Sequence, residues 1–182
     1  NLKKFIYELD VPVMVGGVAG YTQAKHLMRT GAAGVLVGFG GGSAMTTRKG
    51  LGISAPMATA IADVAAARSD YLDESGGRYV HVIADGGLSR SGDLVKALAL
   101  GADAVMIGAP LARASEAPGQ GWYWGNEAHS VDFPRGVRTP LGVVGTLEEV
   151  LYGPSHHVDG TSNIVGALKR AMATCGYLDL KK

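Results

Sequence analysis

HLMRTGAAGVLVG (26–38) and KALALGADAVMIG (96–108) align without a gap at an offset of 70 residues. Each joins the end of a helical segment to a short apolar run that stops at glycine. Upstream, VPVMVGG (11–17) answers VHVIADGG (80–87) at nearly the same offset. The chain therefore contains an internal repeat of strand, helix and strand. Four apolar, β-branched runs stand out: Val11–Val15, Val35–Val37, Val80–Ile83 and Ala104–Ile107. They lack polar alternation, as strands buried on both faces do. Helical segments fall between them at Thr22–Thr30, about Met57–Asp73 and Ser89–Leu100. Strands alternating with helices read as parallel βαβ units.

Two such copies, with glycines closing each strand, suit a closed barrel better than an open sheet. A (β/α)8 barrel needs eight strands, and in it the functional loops follow the strands. The four runs here predict an α/β fold that is the C-terminal half of such a TIM barrel, with a missing half expected in the natural chain. Residues 1–182 read as a single partial catalytic-barrel domain: four β/α units over 1–113, a Gly/Pro-rich flap and loops over 114–160, and a C-terminal helix within 161–182. The helix periodicity runs from Thr161 to Thr174, with Ile164, Leu168 and Met172 on one face. The start, NLKKFIYELD, is an amphipathic helix that opens on Asn1 rather than Met. That is the mark of a fragment, which predicts a piece inactive alone as one outcome.

Composition narrows the function classes. At 182 residues, 47% hydrophobic and 18% charged with 28 glycines, the chain has ample core for a tightly turned α/β protein. A net charge of +1 gives no sign of a nucleic-acid or membrane surface. No apolar run reaches the length of a membrane span, and no signal peptide is visible. The lone Cys175 excludes an internal disulfide and fits a reducing cytoplasm. Its place in ATCGY predicts a small buried thiol.

The loop GFGGGSAMTTR (38–48) offers bare N–H and C=O groups around Met45, whose thioether is a poor nucleophile. Gly42-Ser43, Gly86-Gly87 after Asp85, and Gly108-Ala109 place backbone donors at successive strand ends. Such donors near helix N-termini make a phosphate site. Asp85, at the last position of its strand, suits a pair of sugar hydroxyls. His26 and His81 read as structural, His129 lies in a loop, and His156-His157 read as solvated loop. Trp122 and Trp124 suit either stacking on a base or covering the barrel mouth. Glu116 and Glu127 are possible acids, with Glu116, in SEAPG, reading rather as a loop cap, and no His/Cys/carboxylate spacing supports zinc.

VIADGGLSRSGDLVKALALGADAVMIGAPLA followed by SEAPG, and GFGGGSAMTTR followed by APMATAIADVA, resemble the phosphate strands and catalytic loop of the IMP dehydrogenase / GMP reductase family. The likeness covers nearly the whole chain and is strongest to the actinobacterial IMP-dehydrogenase-related branch. It implies an NAD- or NADP-dependent oxidoreductase of purine nucleotide metabolism that acts at purine C2 of IMP or GMP. It also implies a cytoplasmic homotetramer with no nucleic-acid or membrane partner. By this resemblance Ser43, Gly86, Gly87, Gly108 and Ala109 form the 5′-phosphate region, with Asp85 on the ribose. Ala109 stands where the family has a phosphate-touching serine. Gly40, Gly42 and Met45 would give backbone carbonyls to a monovalent cation, generally potassium. Thr47 matches a threonine that helps activate water or the leaving amine, and Gly125 and Asn126 match the loop that reads the purine edge.

Two departures bear on chemistry. Met45 occupies the position of the family's nucleophilic cysteine, and an already alkylated sulfur forms no neutral, reversible adduct. By the resemblance, Arg135 in Pro134-Arg135-Gly136 stands where reductases carry a glutamate, and the segment is shorter than the dehydrogenase flap and lacks its Arg-Tyr pair. The resemblance thus leaves two readings: a purine-nucleotide oxidoreductase, and a nucleotide-binding or regulatory barrel without a redox step.

Overall fold

The computed structural model describes residues 1–125 and 138–180. Strands β1 (Met14–Val18), β2 (Gly34–Val37), β3 (His81–Asp85) and β4 (Ala104–Met106) form one parallel sheet in the order β1-β2-β3-β4. Sheet order equals chain order, and helices connect the strands: α2 (Tyr21–Arg29), α3 (Met57–Glu74) and α4 (Ser91–Ala99), with α1 (Leu2–Glu8) ahead of β1. This is the four-strand, half-barrel arrangement that the repeat predicts. The chain divides into two compact units. The first comprises Asn1–Phe39, Ser54–Gly86 and Ala97–Met106; the second comprises Gly40–Ile53, Gly87–Lys96 and Ile107–Lys182.

In the first unit the sheet is a core element because its side chains have nowhere polar to go. Val35, Val37, Val82 and Ala84 are completely buried, and each such valine contributes about 2 kcal/mol by leaving water. On α3, Ala60, Ile61, Val64, Ala67 and Tyr71 recur at the three- and four-residue spacing of one helical face, and all are buried. On α2, Ala24 and Met28 lie one turn apart and are fully buried. Polar groups then fix the α2–α3 pair at its rim. Tyr21 donates to Asp70 at 2.6 Å, and Arg29 reaches both oxygens of Glu74 at 2.6 and 2.7 Å. The Lys25 ammonium lies 3.1 Å from the same carboxylate.

The first strand differs from expectation. It runs over Met14–Val18 rather than Val11–Val15, and Gly16-Gly17 lie inside it instead of closing it. Pro12 cannot donate to a ladder, and Val11 is exposed. The glycines serve close approach: a methyl on Gly16 would sit 2.5 Å from the Leu36 Cβ, and one on Gly17 would run into the Gly38 carbonyl. The pairing shifts register between Gly16 and Val18. The other three strands fall within two residues of their predicted runs.

At the N-terminal ends of β3 and β4, Arg68 donates to Tyr79 Oη at 2.9 Å and to Asp103 Oδ2 at 2.7 Å. The same Oδ2 accepts the Val82 N–H at 2.8 Å, and the Tyr79 hydroxyl donates to the other carboxylate oxygen. Burial is the main cause raising the Tyr79 pKa, followed by its bond to Asp103.

The second unit holds what the sequence shows only as an aperiodic stretch. A tight turn of π-helical form covers Thr47–Leu51. Helix α5 (Ala109–Ala112), the antiparallel ribbon β5 (Trp122–Tyr123) with β6 (Thr139–Pro140), α6 (Leu147–Tyr152) and α7 (Ile164–Cys175) follow. Helix α6 starts at a reciprocal cap. The Thr146 hydroxyl accepts the Glu149 N–H at 3.2 Å, and Glu149 accepts the Thr146 N–H at 2.7 Å. On α7, Ile164 is buried while Leu168 and Met172 are half-buried. Cys175 ends that helix exposed, which corrects the expectation of a buried thiol. Among the described residues no helix is long and apolar enough to cross a membrane.

Two outcomes follow for the full-length protein. Asp103→Ala leaves the Val82 N–H and the Arg68 charge unpaired, and should cost about 2–3 kcal/mol, read as a lower urea midpoint at unchanged slope. The hydrogen bonds from Arg29 and then Lys25 hold the Glu74 carboxyl at about 2, below its ordinary 4.5. A lowered carboxyl pKa stabilises above the ordinary value, and that stability is lost as pH falls towards 2. The stability gap between wild type and Glu74→Gln should therefore close between about pH 4.5 and 2, and it should shrink with salt because the pair is exposed.

Candidate functional site

The second unit gathers most of the nominated residues. After β2 the chain enters a loop that curls on itself. Gly40 takes a left-handed backbone (φ +64°), and a methyl there would sit 2.5 Å from Thr47 Cβ. The Gly42 carbonyl accepts the Met45 N–H at 3.0 Å, and Gly42 packs on the Met45 Cγ. Ser43 is exposed between them, and the Met45 side chain is 39% exposed. An accessible thioether is thus displayed where a nucleophile would need a removable proton. The loop supplies no proton-bearing sulfur or carboxyl; it offers hydroxyls and backbone groups.

Two further segments of the same unit meet this loop or one another. A methyl on Gly87 would lie 3.3 Å from the Gly41 carbonyl, so the turn after β3 is set against the glycine loop. Gly108 precedes Ala109, the buried first residue of α5, and a methyl on Gly108 would lie 2.5 Å from the Tyr123 hydroxyl. Thr139, the cross-strand partner of Tyr123, donates to the Ser43 carbonyl at 3.5 Å. Gly125 closes the described part of this segment.

Asp85 and Gly86 belong to the first unit, at the end of β3. The backbone there is tightly packed: a methyl on Gly38 would overlap the Asp85 carbonyl and come 2.7 Å from the Met57 sulfur. The Asp85 carboxyl is half-buried, burial alone raises its pKa, and it makes no side-chain hydrogen bond among the described residues. A carboxylate stripped of water without a protein donor is suited to hydroxyls brought by a ligand.

Glu116 accepts the Leu147 N–H at 2.9 Å, just behind the α6 cap, so it is a loop cap as expected. Backbone hydrogen bonds, Leu147's among them, lower its pKa. His26 is exposed on α2, and His81 opens β3 rather than sitting within it, its ring edge-on to Tyr79 at 5.3 Å. His156 is exposed, 3.9 Å from Glu149. Trp122 is half exposed, and Arg138 lies over the Trp124 ring at 5.3 Å. Asn126, Glu127, His129 and Pro134-Arg135-Gly136 lie outside the described residues. Tyr123 and Thr139 were missed by sequence reasoning, because a two-residue ribbon leaves no periodic signal.

The residues fit a monovalent ion in one respect. Among the described residues no three His, Cys, Asp or Glu side chains gather, so a cation in this loop would rest on carbonyls. Gly40 and Gly42 turn a short backbone tightly enough to present them, and the Gly42 oxygen keeps one lone pair beyond its bond to Met45.

Comparison with known proteins agrees with this architecture. A family model described as the IMP dehydrogenase / GMP reductase domain matches residues 1–136. An uncharacterized oxidoreductase of Mycolicibacterium smegmatis is 59% identical over the whole chain, which covers 49% of that protein. An inosine-5′-monophosphate dehydrogenase of Aquifex aeolicus is 44% identical over 95% of the chain and 37% of its own length. The crystal structure of an IMP dehydrogenase/GMP reductase-like protein from Corynebacterium glutamicum is similar with a TM-score of 0.89 and 59% identity, over 100% of this chain and 48% of that one. The chain spans about half the length of the curated actinobacterial relatives it matches.

The Gly108–Tyr123 contact generates a direct test. Gly108→Ala should destabilise by about 1–3 kcal/mol, because the methyl overlaps the Tyr123 hydroxyl. In a Tyr123→Ala background the same change should cost under about 0.5 kcal/mol, a coupling that a double-mutant cycle of urea midpoints reads.

Proposed function

Because the chain belongs to the IMP dehydrogenase / GMP reductase domain family, we propose that this protein binds a purine nucleoside 5′-monophosphate, IMP or GMP, and acts at its purine C2 with NAD or NADP. The observation that carries the reading is the glycine-walled surface of the second unit, where Gly87 abuts the Gly41 carbonyl beside Ser43. A surface of bare backbone approaches phosphate oxygens closely without a charged side chain.

Ser43, Gly86, Gly87, Gly108 and Ala109 then form the 5′-phosphate region. Asp85 takes the ribose hydroxyls, to which its half-buried carboxylate, without a donor among the described residues, is suited. Gly125 and Asn126 read the purine edge, and Thr47 polarises the water or amine at C2. Carbonyls of Gly40, Gly42 and Met45 hold a potassium ion that fixes the loop. The nicotinamide supplies hydride chemistry, while this chain's residues bind and orient the nucleotide. The 1–182 segment acts as part of one catalytic barrel in a cytoplasmic homotetramer, its 114–160 region serving as flap.

Met45 favours a second reading, in which the barrel binds the nucleotide and performs no redox step. An accessible thioether cannot form and release the covalent purine adduct.

The two readings separate in one experiment on the full-length protein. IMP with NAD, and GMP with NADPH, are followed by absorbance of the reduced nicotinamide, and both nucleotides are titrated by calorimetry. Binding with turnover supports the enzyme, binding without turnover supports the silent barrel, and no binding rejects both. Met45→Cys should raise turnover less than tenfold, because Arg135 also departs from the family's base. A larger gain would show that the nucleophile was the sole missing part.

A further inference from the structure

We propose that the tryptophan-lined cavity beside α5 is a further small-molecule site, which takes a flat bicyclic aromatic anion. The proposal goes beyond the nucleotide reading, and its test uses no nucleotide. The whole cavity lies within the second unit.

Its volume is about 290 Å³. An apolar cavity of about 150 Å³ admits benzene, so this one has room for two fused rings. Leu111 and Ala112 of α5, Pro118, and the rings of Trp122, Tyr123 and Trp124 line it. Both tryptophans of the chain therefore stand in one lining. Trp122 keeps 49% of its surface exposed, although folding ordinarily hides most of so large a ring. A concave apolar lining with an open mouth is the ordinary form of a ligand pocket.

The backbone holds the cavity open. Residues 115–120 form a compact turn, in which the Gln120 N–H donates to the Ala117 carbonyl at 3.0 Å. The Gln120 side-chain amide reaches the Ser115 and Ala117 carbonyls at 3.1 and 3.2 Å. The Trp122 N–H donates to the Gly119 carbonyl at 2.9 Å. A methyl at Gly119 would run into the Trp122 carbonyl and lie 3.0 Å from Trp124 Cζ3. The Trp124 ring is thus seated against backbone, and the site needs little reorganisation to receive a ligand ring.

The ligand class follows from the lining. Three aromatic rings select a flat partner through offset or edge-to-face stacking. The Arg138 guanidinium stands over the Trp124 ring at 5.3 Å, one ring away from the cavity. It forms no ion pair among the described residues. Glu116, next in the chain to the lining residue Ala117, is already engaged by the Leu147 N–H and the Ser115 hydroxyl. An available cation beside an apolar slot favours an anionic group on the ring that fills it.

The test is calorimetric titration of the full-length protein with naphthalene carboxylate. Naphthalenemethanol supplies the same ring without charge, and cyclohexanecarboxylate supplies the charge without an aromatic ring. Naphthalene carboxylate should bind with a Kd of about 0.1–0.5 mM and quench tryptophan fluorescence over the same range. The alcohol should bind about threefold more weakly, and Arg138→Met should abolish that difference. Cyclohexanecarboxylate should bind about tenfold more weakly. Ala112→Phe fills the cavity and should remove binding; if that variant fails to fold, Ala117→Leu provides the same reading. Neither heat nor quenching from naphthalene carboxylate at about 5 mM overturns the proposal. So does equal binding of the alcohol, or binding that survives in a folded, cavity-filled variant.

Discussion

The ends of three neighbouring strands are pressed together backbone against backbone, and the first unit depends on that approach. A side chain at Gly17 would run into the Gly38 carbonyl, and one at Gly38 would run into the carbonyl of Asp85. β1, β2 and β3 are thereby held in line at the ends from which the loops depart. The Gly38 contact also seats Met57 at the start of α3. Helix α3 can then lay its buried stripe from Ala60 to Tyr71 along the sheet. Valines supply the apolar free energy, but the missing methyls decide how close the strands come.

The opposite strand ends are secured by another kind of force. There a carboxylate, a guanidinium and a phenol satisfy one another and one strand N–H around Asp103. In barrels the face beneath the strands serves stability and the face above serves chemistry. The half-barrel follows that division: charge pairs close one end, while the other keeps Asp85 half-buried and, among the described residues, without a side-chain hydrogen bond. A carboxylate in that condition is suited to hydroxyls brought by a ligand.

Much of this was legible in the sequence, for reasons that differ by element. The 70-residue repeat exposed the βαβ units because buried parallel strands must be continuously apolar. The Thr146-Glu149 cap was also readable, as threonine followed three residues later by glutamate ahead of apolar residues, and was overlooked. The start of β1 was legible only in part: Pro12 argues against a ladder there, but Val11–Val15 is otherwise as apolar as any strand and pairing with β2 fixes the start at Met14. The β5–β6 ribbon lies beyond any periodicity because two residues cannot display a period. In the candidate site the glycine pairs are visible as motifs, whereas the Gly108–Tyr123 contact joins residues 15 apart and leaves no local signal.

The sheet order has a consequence for how the molecule is made. Each strand pairs with the one synthesised just before it, and no strand waits for a later one to be inserted between existing neighbours. A ribosome delivering this chain would present β2 to a waiting β1 edge, then β3 to β2, then β4 to β3. Each addition closes over a single connecting segment, so no step involves threading. The repeated unit is, in that sense, a unit of assembly.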